Sequence, residues 1–235
     1  MGDFNFGYYI DLVICVDATG AMSPFIFELK NNADKLFTSI LELLEQQERR
    51  CNELRIKMIV FRDYRYDEEP MVETKFFTVD ESDDLVSFIN SIHAGGGGDI
   101  PENALEALAL AIRSDWNSDR PKSRQMIVMV TESPALMLGE RKDEPGYPEG
   151  MPRDIAELEA WMGFSEAYLG SEAIPQPENI KFTRRGGRLL LLAPCAYPWD
   201  TLSEIGNTYW EPVEESNGCS DVRWEDVANL LVNMI

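Results

Sequence analysis

Positive charge is scarce in this chain. Across 235 residues there are 21 Lys and Arg against 42 Asp and Glu, a formal net charge of −21. A surface of that sign repels phosphate backbones and anionic headgroups, which makes nucleic acid and membrane surfaces poor partners. Histidine occurs once, at His93, and the four cysteines, Cys15, Cys51, Cys195 and Cys219, stand far apart in no zinc spacing. They read as reduced thiols of a cytoplasmic protein. No apolar run approaches the length of a membrane span, and the opening residues lack the basic stretch of a secretory leader. Internal repeats and low-complexity blocks are absent too. The acids are dispersed, as in Asp67-Glu68-Glu69 and Glu214-Glu215, which is the pattern of a solvated acidic surface.

With 44% apolar and 10% aromatic residues the chain can bury a full core, and one domain over 1–235 accounts for it. Residues 9–16 form a β-rich apolar run ending at Asp17, as expected of a strand buried on both faces. Apolar residues at three- and four-residue steps predict one long helix over 22–50. Residues 54–64 predict a strand, 75–79 a short edge strand, and Leu85, Phe88, Ile89 and Ile92 a helix. After Gly95-Gly96-Gly97-Gly98 comes a helix with Leu105, Leu108, Ala109 and Ile112 on one face. Strands follow at 125–130 and 188–193, then a short helix at 200–206, an edge strand at 208–213 and a closing helix from Trp224. Alternating strands and helices with continuously apolar strands predict an α/β, doubly wound, mostly parallel sheet with helices on both faces and one antiparallel edge strand. Cys15, Ile59, Val128 and Leu191 are expected on its neighbouring central strands.

Residues 135–187 are too long for an ordinary connection and change composition, so they read as an inserted lobe. It carries one helix over 154–169, with Trp161, Met162 and Tyr168 forming the lobe's own core. Such a lobe is the expected protruding region, and removing it should leave the domain folded.

Ligands of open α/β sheets sit at the carboxyl ends of the strands, and there this sequence places its unusual residues. They are Asp17-Ala18-Thr19-Gly20-Ala21-Met22, the loop 95–102 and Thr131-Glu132-Ser133. Carboxylates and hydroxyls converging from three loops make a plausible hard-cation site. The competing reading is that Asp17, Thr19 and Asp99 only cap the helices they precede. The glycine run is followed by no Gly-Lys-Ser/Thr and lacks dinucleotide spacing, which argues against nucleotide.

These loops resemble those of the von Willebrand factor type A domain, a Rossmann-like fold that carries a metal-ion-dependent adhesion site. Asp17 and Thr19 match the family's first loop, Asp99 its second, and Glu132 stands where the family has Asp. Ala21 replaces the second Ser of the first loop and cannot coordinate. The match is in strong register over about residues 8–134. The resemblance implies a degenerate site of Asp17, Thr19, Asp99 and Glu132, with weakly held Mg²⁺ or Ca²⁺. It also implies a noncatalytic module that binds an as yet unidentified protein partner. The competing functions are a Mg²⁺-dependent phosphoryl-transfer enzyme using Asp17 as nucleophile, which lacks a second Asp at position 19, and a metal-free scaffold.

Overall fold

The computed structural model describes residues 7–98, 100–166 and 172–235. Among them, six strands form a single sheet: β1 (Tyr8–Asp17), β2 (Cys51–Phe61), β3 (Met71–Glu73), β4 (Ser123–Val130), β5 (Gly187–Pro194) and β6 (Thr208–Val213). Their spatial order is β3-β2-β1-β4-β5-β6. Within this sheet only β3 runs antiparallel, against β2; β1 pairs with β2 and β4, β4 with β5 and β5 with β6 in parallel. The helices that surround it among the described residues are α1 (Ser23–Asn31), α2 (Leu36–Gln46), α3 (Ser82–Ser91), α4 (Ala104–Ile112), α5 (Ile155–Trp161), α6 (Trp199–Ser203) and α7 (Trp224–Asn233).

The period of two along each strand divides the core into two layers. Ile10, Leu12, Ile14, Val128 and Leu190 pack under α1, α2, α3 and α7. Cys15, Ile59, Met129 and Leu191 pack on the opposite face under α4, α5 and α6. Cys15, Ile59, Val128 and Leu191 therefore do lie on neighbouring central strands, with Val128 on the other face because Cys15 is in register with Met129. The polar break in β1, Asp11, is buried and sits opposite Arg55, whose guanidinium donates to both carboxylate oxygens at 2.7 Å.

Three sequence expectations shift. The helix over 22–50 is divided into α1 and α2 by a 3₁₀ turn at Ala33–Lys35. Asn32 starts that turn: its side chain donates to the Glu28 carbonyl at 2.9 Å and its backbone N–H to that of Leu29 at 3.2 Å, competing with the α-helical ladder. The edge strand lies at Met71–Glu73 instead of 75–79, where only an isolated bridge between Phe77 and Ile56 remains. The Thr74 hydroxyl takes the Met58 N–H at 2.9 Å and so interrupts the ladder. The helix over 154–169 is capped by Asp154, which accepts from Glu157 N at 2.9 Å, but ends at Trp161. Gly163, at φ +82°, provides the left-handed stop. Tyr168 and Leu169 lie outside the described residues.

Residues 135–187 do not keep their apolar side chains to themselves. Leu138, Leu158, Trp161, Met162, Ile180 and Phe182 join the cluster that contains α4 and the sheet. Every residue of α4 is consequently buried, not only the face that its periodicity marks. Polar ties reinforce the contact. Arg141 forks onto buried Asp63, with Nη2 3.0 Å from Oδ2, and Tyr147 donates to Glu106 at 2.8 Å.

Glu106, on α4, also accepts from Asn103 Nδ2 at 3.1 Å and Gly139 N at 3.2 Å. Burial raises its pKa, and these hydrogen bonds only partly oppose the rise. A carboxyl raised above its unfolded value contributes stability that is complete below that unfolded value and is lost as pH rises through the folded one. Thermal melts between mildly acidic and neutral pH should therefore show the parent losing stability relative to Glu106→Gln as pH rises. Parallel curves would show that Glu106 titrates alike in both states.

Candidate metal and interaction site

β1 delivers Asp17 to the carboxyl end of the sheet, fully buried, and the chain turns at once into Thr19. Both the amide and the hydroxyl of Thr19 donate to Asp17 Oδ1, at 2.9 and 2.8 Å. The Thr131 hydroxyl, at the end of β4, donates to Oδ2 at 2.8 Å. Burial raises the Asp17 pKa; the Thr19 and Thr131 donors pull it down, and the nearby Glu132 charge raises it further. Thr19 occupies the position before the 3₁₀ turn Gly20–Met22, yet its side chain makes no capping bond. Its hydroxyl is committed to Asp17, so the capping alternative does not describe Thr19.

The glycine run packs against this first loop. Gly95 N–H donates to the Ala18 carbonyl at 3.0 Å and Gly20 N–H to that of Gly96 at 3.4 Å. Gly97 has φ +73°, and a Cβ there would stand 2.9 Å from both Thr19 Cγ2 and Glu102 Oε1, so position 97 demands glycine on both counts. Arg62, just after β2, ties the loops together: its Nε donates to the carbonyls of Ala18 at 3.2 Å and Gly95 at 3.0 Å. Asp99 itself lies outside the described residues.

Glu132 is buried and accepts a close hydrogen bond from the backbone N–H of Gly218, in the loop between β6 and α7. Gly218 has φ +67°, and a Cβ there would strike the Ala21 carbonyl. This loop therefore covers the first one. Its next residue, Cys219, is buried, and its thiol pKa is pushed far up by burial, with the charges of Asp17 and Glu132 adding to the shift. Thr131, Arg62, Gly218 and Cys219 were not among the site residues expected from the sequence. Thr131 had a signal, a hydroxyl at the end of a buried strand; the others had none, since their roles depend on remote loops meeting.

Thr19, Asp17 and Glu132 thus come together, and their oxygens have the chemistry of hard-cation ligands. Much of that capacity is spent on protein donors: Asp17 accepts three hydrogen bonds and Glu132 accepts from Gly218. No group of three or more His, Cys, Asp or Glu side chains is arranged to hold a metal among the described residues. All four cysteines are unpaired. No helix among the described residues is long and apolar enough to cross a membrane.

Comparison with known proteins agrees with this architecture. An alpha-protein kinase of Dictyostelium discoideum, vwkA, is 27% identical over 146 residues, which is 62% of this chain and 22% of that protein. A putative ariadne-like RING finger protein of Acanthamoeba polyphaga mimivirus, R811, is 29% identical over 119 residues, 48% of this chain and 11% of that one. The chain thus spans less than a quarter of the length of either relative. Among solved structures, the pilus adhesin SpaC of Lactobacillus rhamnosus GG in its open conformation superposes with a TM-score of 0.52 at 12% identity, over 96% of this chain and 30% of the adhesin, a likeness of fold. The model of the von Willebrand factor A domain matches residues 11–135, more than half of the chain, and the protein belongs to that family.

Proposed function

We propose that the chain is a noncatalytic protein-interaction module whose binding face is formed by the loops at the carboxyl ends of the strands. The observation that carries this reading is that four of the seven large apolar side chains exposed among the described residues lie on these loops, the others being Phe27 on α1, Val79 before α3 and Tyr209 on β6. Tyr66 follows β2, Ile100 belongs to the glycine-rich loop, Met137 follows β4 and Tyr197 follows β5, and they are 51, 61, 44 and 46% exposed. Exposed aromatic and Met side chains gathered on the loops of a rigid sheet are characteristic of binding surfaces. The two relatives support it differently: a segment shared by a protein named as a kinase and one named as a RING finger protein, each several times longer, behaves as a module joined to different activities. Residues 135–187 form, in this reading, an insertion within one domain spanning 1–235 that shapes the partner surface. The unpaired cysteines favour a reducing cytoplasmic setting.

Phosphoryl transfer through Asp17 is disfavoured by its surroundings. A nucleophilic carboxylate needs an accessible oxygen, and Asp17 is fully buried with protein donors on both of its oxygens. A divalent cation, Mg²⁺ or Ca²⁺, would be held by Asp17, Thr19, Asp99 and Glu132. Ala21 has no side-chain oxygen to offer, so water would have to take the place of the missing hydroxyl. Three carboxylates more than offset a divalent charge, which leaves little attraction for a partner's acid. The reading is therefore one of weak metal binding and recognition through surface contacts. The hydrogen bonds that occupy Asp17 favour a second reading, a metal-free scaffold.

Calorimetry with Mg²⁺ and Ca²⁺ on the parent and on Ala21→Ser separates the two. Weak binding by the parent and tighter binding by the variant is expected; no heat from the parent with binding restored by the serine establishes the scaffold. Affinity capture with and without a chelator tests the module itself. Partners should be retained in both conditions and lost when Tyr66, Met137 and Tyr197 are replaced by Ala. Retention by that variant would overturn the proposed face.

A further inference from the structure

A groove of about 530 Å³ runs between β6 and α7. Its floor is apolar, with Leu192, Val213, Val222 and Leu230, and its rim carries Glu211, Glu214, Asp221 and Asp226. None of these four carboxylates forms an ion pair among the described residues. Arg223, the cation lining the groove among the described residues, donates to the carbonyls of Ser220 and Val222 in its own loop, at 2.6 and 3.3 Å.

β6 is unevenly covered. Trp210 packs into the layer under α6, while Val213 touches the opposite layer beside α7. By the period of two, Tyr209 and Glu211 share the face of Val213, and both are exposed, with the Tyr209 hydroxyl donating to Glu211 at 3.2 Å. Strands of parallel sheets are ordinarily covered by helices on both faces, so this face lacks one helix of the layer that α7 ends. Addition of a strand is a poorer fit. β6 is the sheet edge, and Pro212 together with the exposed acids has the composition that keeps edges from pairing.

We propose that this groove receives a basic amphipathic helix of a partner protein, apolar residues on the floor and Lys or Arg against the acidic rim. The proposal rests on the reading of the chain as an interaction module, but seats this partner between β6 and α7 and not on the loops that carry Tyr66, Ile100, Met137 and Tyr197. The β6–α7 loop is common to both: it contributes Glu214, Asp221 and Val222 to the groove, while its Gly218 and Cys219 lie against the strand-end site.

The test uses the full chain and a fluorescein-labelled synthetic helix with Leu at positions i, i+3, i+4 and i+7 and Lys elsewhere. Its controls are the same helix with Glu for Lys, and an extended peptide alternating Val and Lys. The Lys helix should bind best, equally with or without chelator, and shift the NMR signals of Val213, Val222 and Leu230. Replacing the exposed rim as Glu211→Gln/Glu214→Gln/Asp221→Asn should weaken it about tenfold, the order expected for three exposed charge pairs lost together. Asp80→Asn/Asp83→Asn/Asp84→Asn, of equal charge change on and before α3, should not. Equal weakening by both triple variants would mean attraction to net charge alone and overturn the proposal. So would preference for the extended peptide, or chelator-sensitive binding with shifts at Tyr66 and Met137; retention of captured partners by the variant with Ala at Tyr66, Met137 and Tyr197 would instead reject the other face and leave this one standing.

Discussion

Replacing residues 135–187 by a short linker should unfold the protein. The deletion removes α5 itself and takes Leu138, Leu158, Trp161, Met162, Ile180 and Phe182 out of the layer that they share with α4, which exposes α4, all of whose residues are buried. A fully buried large apolar side chain contributes about 1.5–3 kcal/mol, so these six, three of them fully and three nearly fully buried, rival the roughly 5–15 kcal/mol by which a whole domain is stable. Circular dichroism of the deletion variant should show lost near-ultraviolet signal and no cooperative melt. Phe182→Ala isolates one contribution: the side chain is 1% exposed, and its truncation should cost about 3–5 kcal/mol in denaturant titration. A deletion variant that melts cooperatively near the parent temperature would show that α4 is supported by the rest of the sheet alone.

Arg141→Ala should destabilise the protein by about 3–5 kcal/mol, the usual consequence of leaving a buried charge without its partner. Asp63 is fully buried, and the Arg141 guanidinium contacts both of its oxygens, at 3.0 to 3.3 Å. Asp63 also accepts from Arg65 N at 2.6 Å, so the carboxylate organises the loop after β2 as well as the start of the insertion. Asp63→Asn/Arg141→Met, which removes both charges, should recover most of the loss because an apolar replacement of similar length avoids the cost of desolvating an ion pair. Urea titration of the two variants decides the matter. A loss below about 1 kcal/mol for Arg141→Ala would place this pair among the weak, solvent-screened ones.

The opposite expectations for residues 135–187 show where sequence patterning stops. Trp161, Met162 and the apolar residues around them mark a segment that buries something, but periodicity does not say against what. Ala104–Ile112 consists of Ala, Leu and Ile apart from Glu106, apolar enough for burial all round, yet its three-and-four spacing also suits a helix with one apolar face. Only the packing of a remote segment onto the other side distinguishes the two. The same holds for the short strand after β2, where the Thr74 hydroxyl takes a ladder N–H that no propensity argument would assign to it.

The architecture, by contrast, is written along the chain: continuous apolar runs at β1, β2, β4 and β5 can satisfy their backbones and bury both faces only in a parallel sheet between helix layers. So is the position of Asp17, Thr19 and Glu132 at the strand ends, since a buried strand must stop where its charged or hydroxyl residues begin. What those residues face is settled only on folding. Thr131 and Thr19 donate three hydrogen bonds to Asp17, Gly218 covers Glu132 from 86 positions away in the chain, and Arg62 ties the first loop to the glycine run. Hydrogen bonds and ion pairs act over about 3 Å in space, whereas hydrophobic periodicity runs along the chain; the partners of a buried polar group belong to the folded arrangement of loops and leave no period behind.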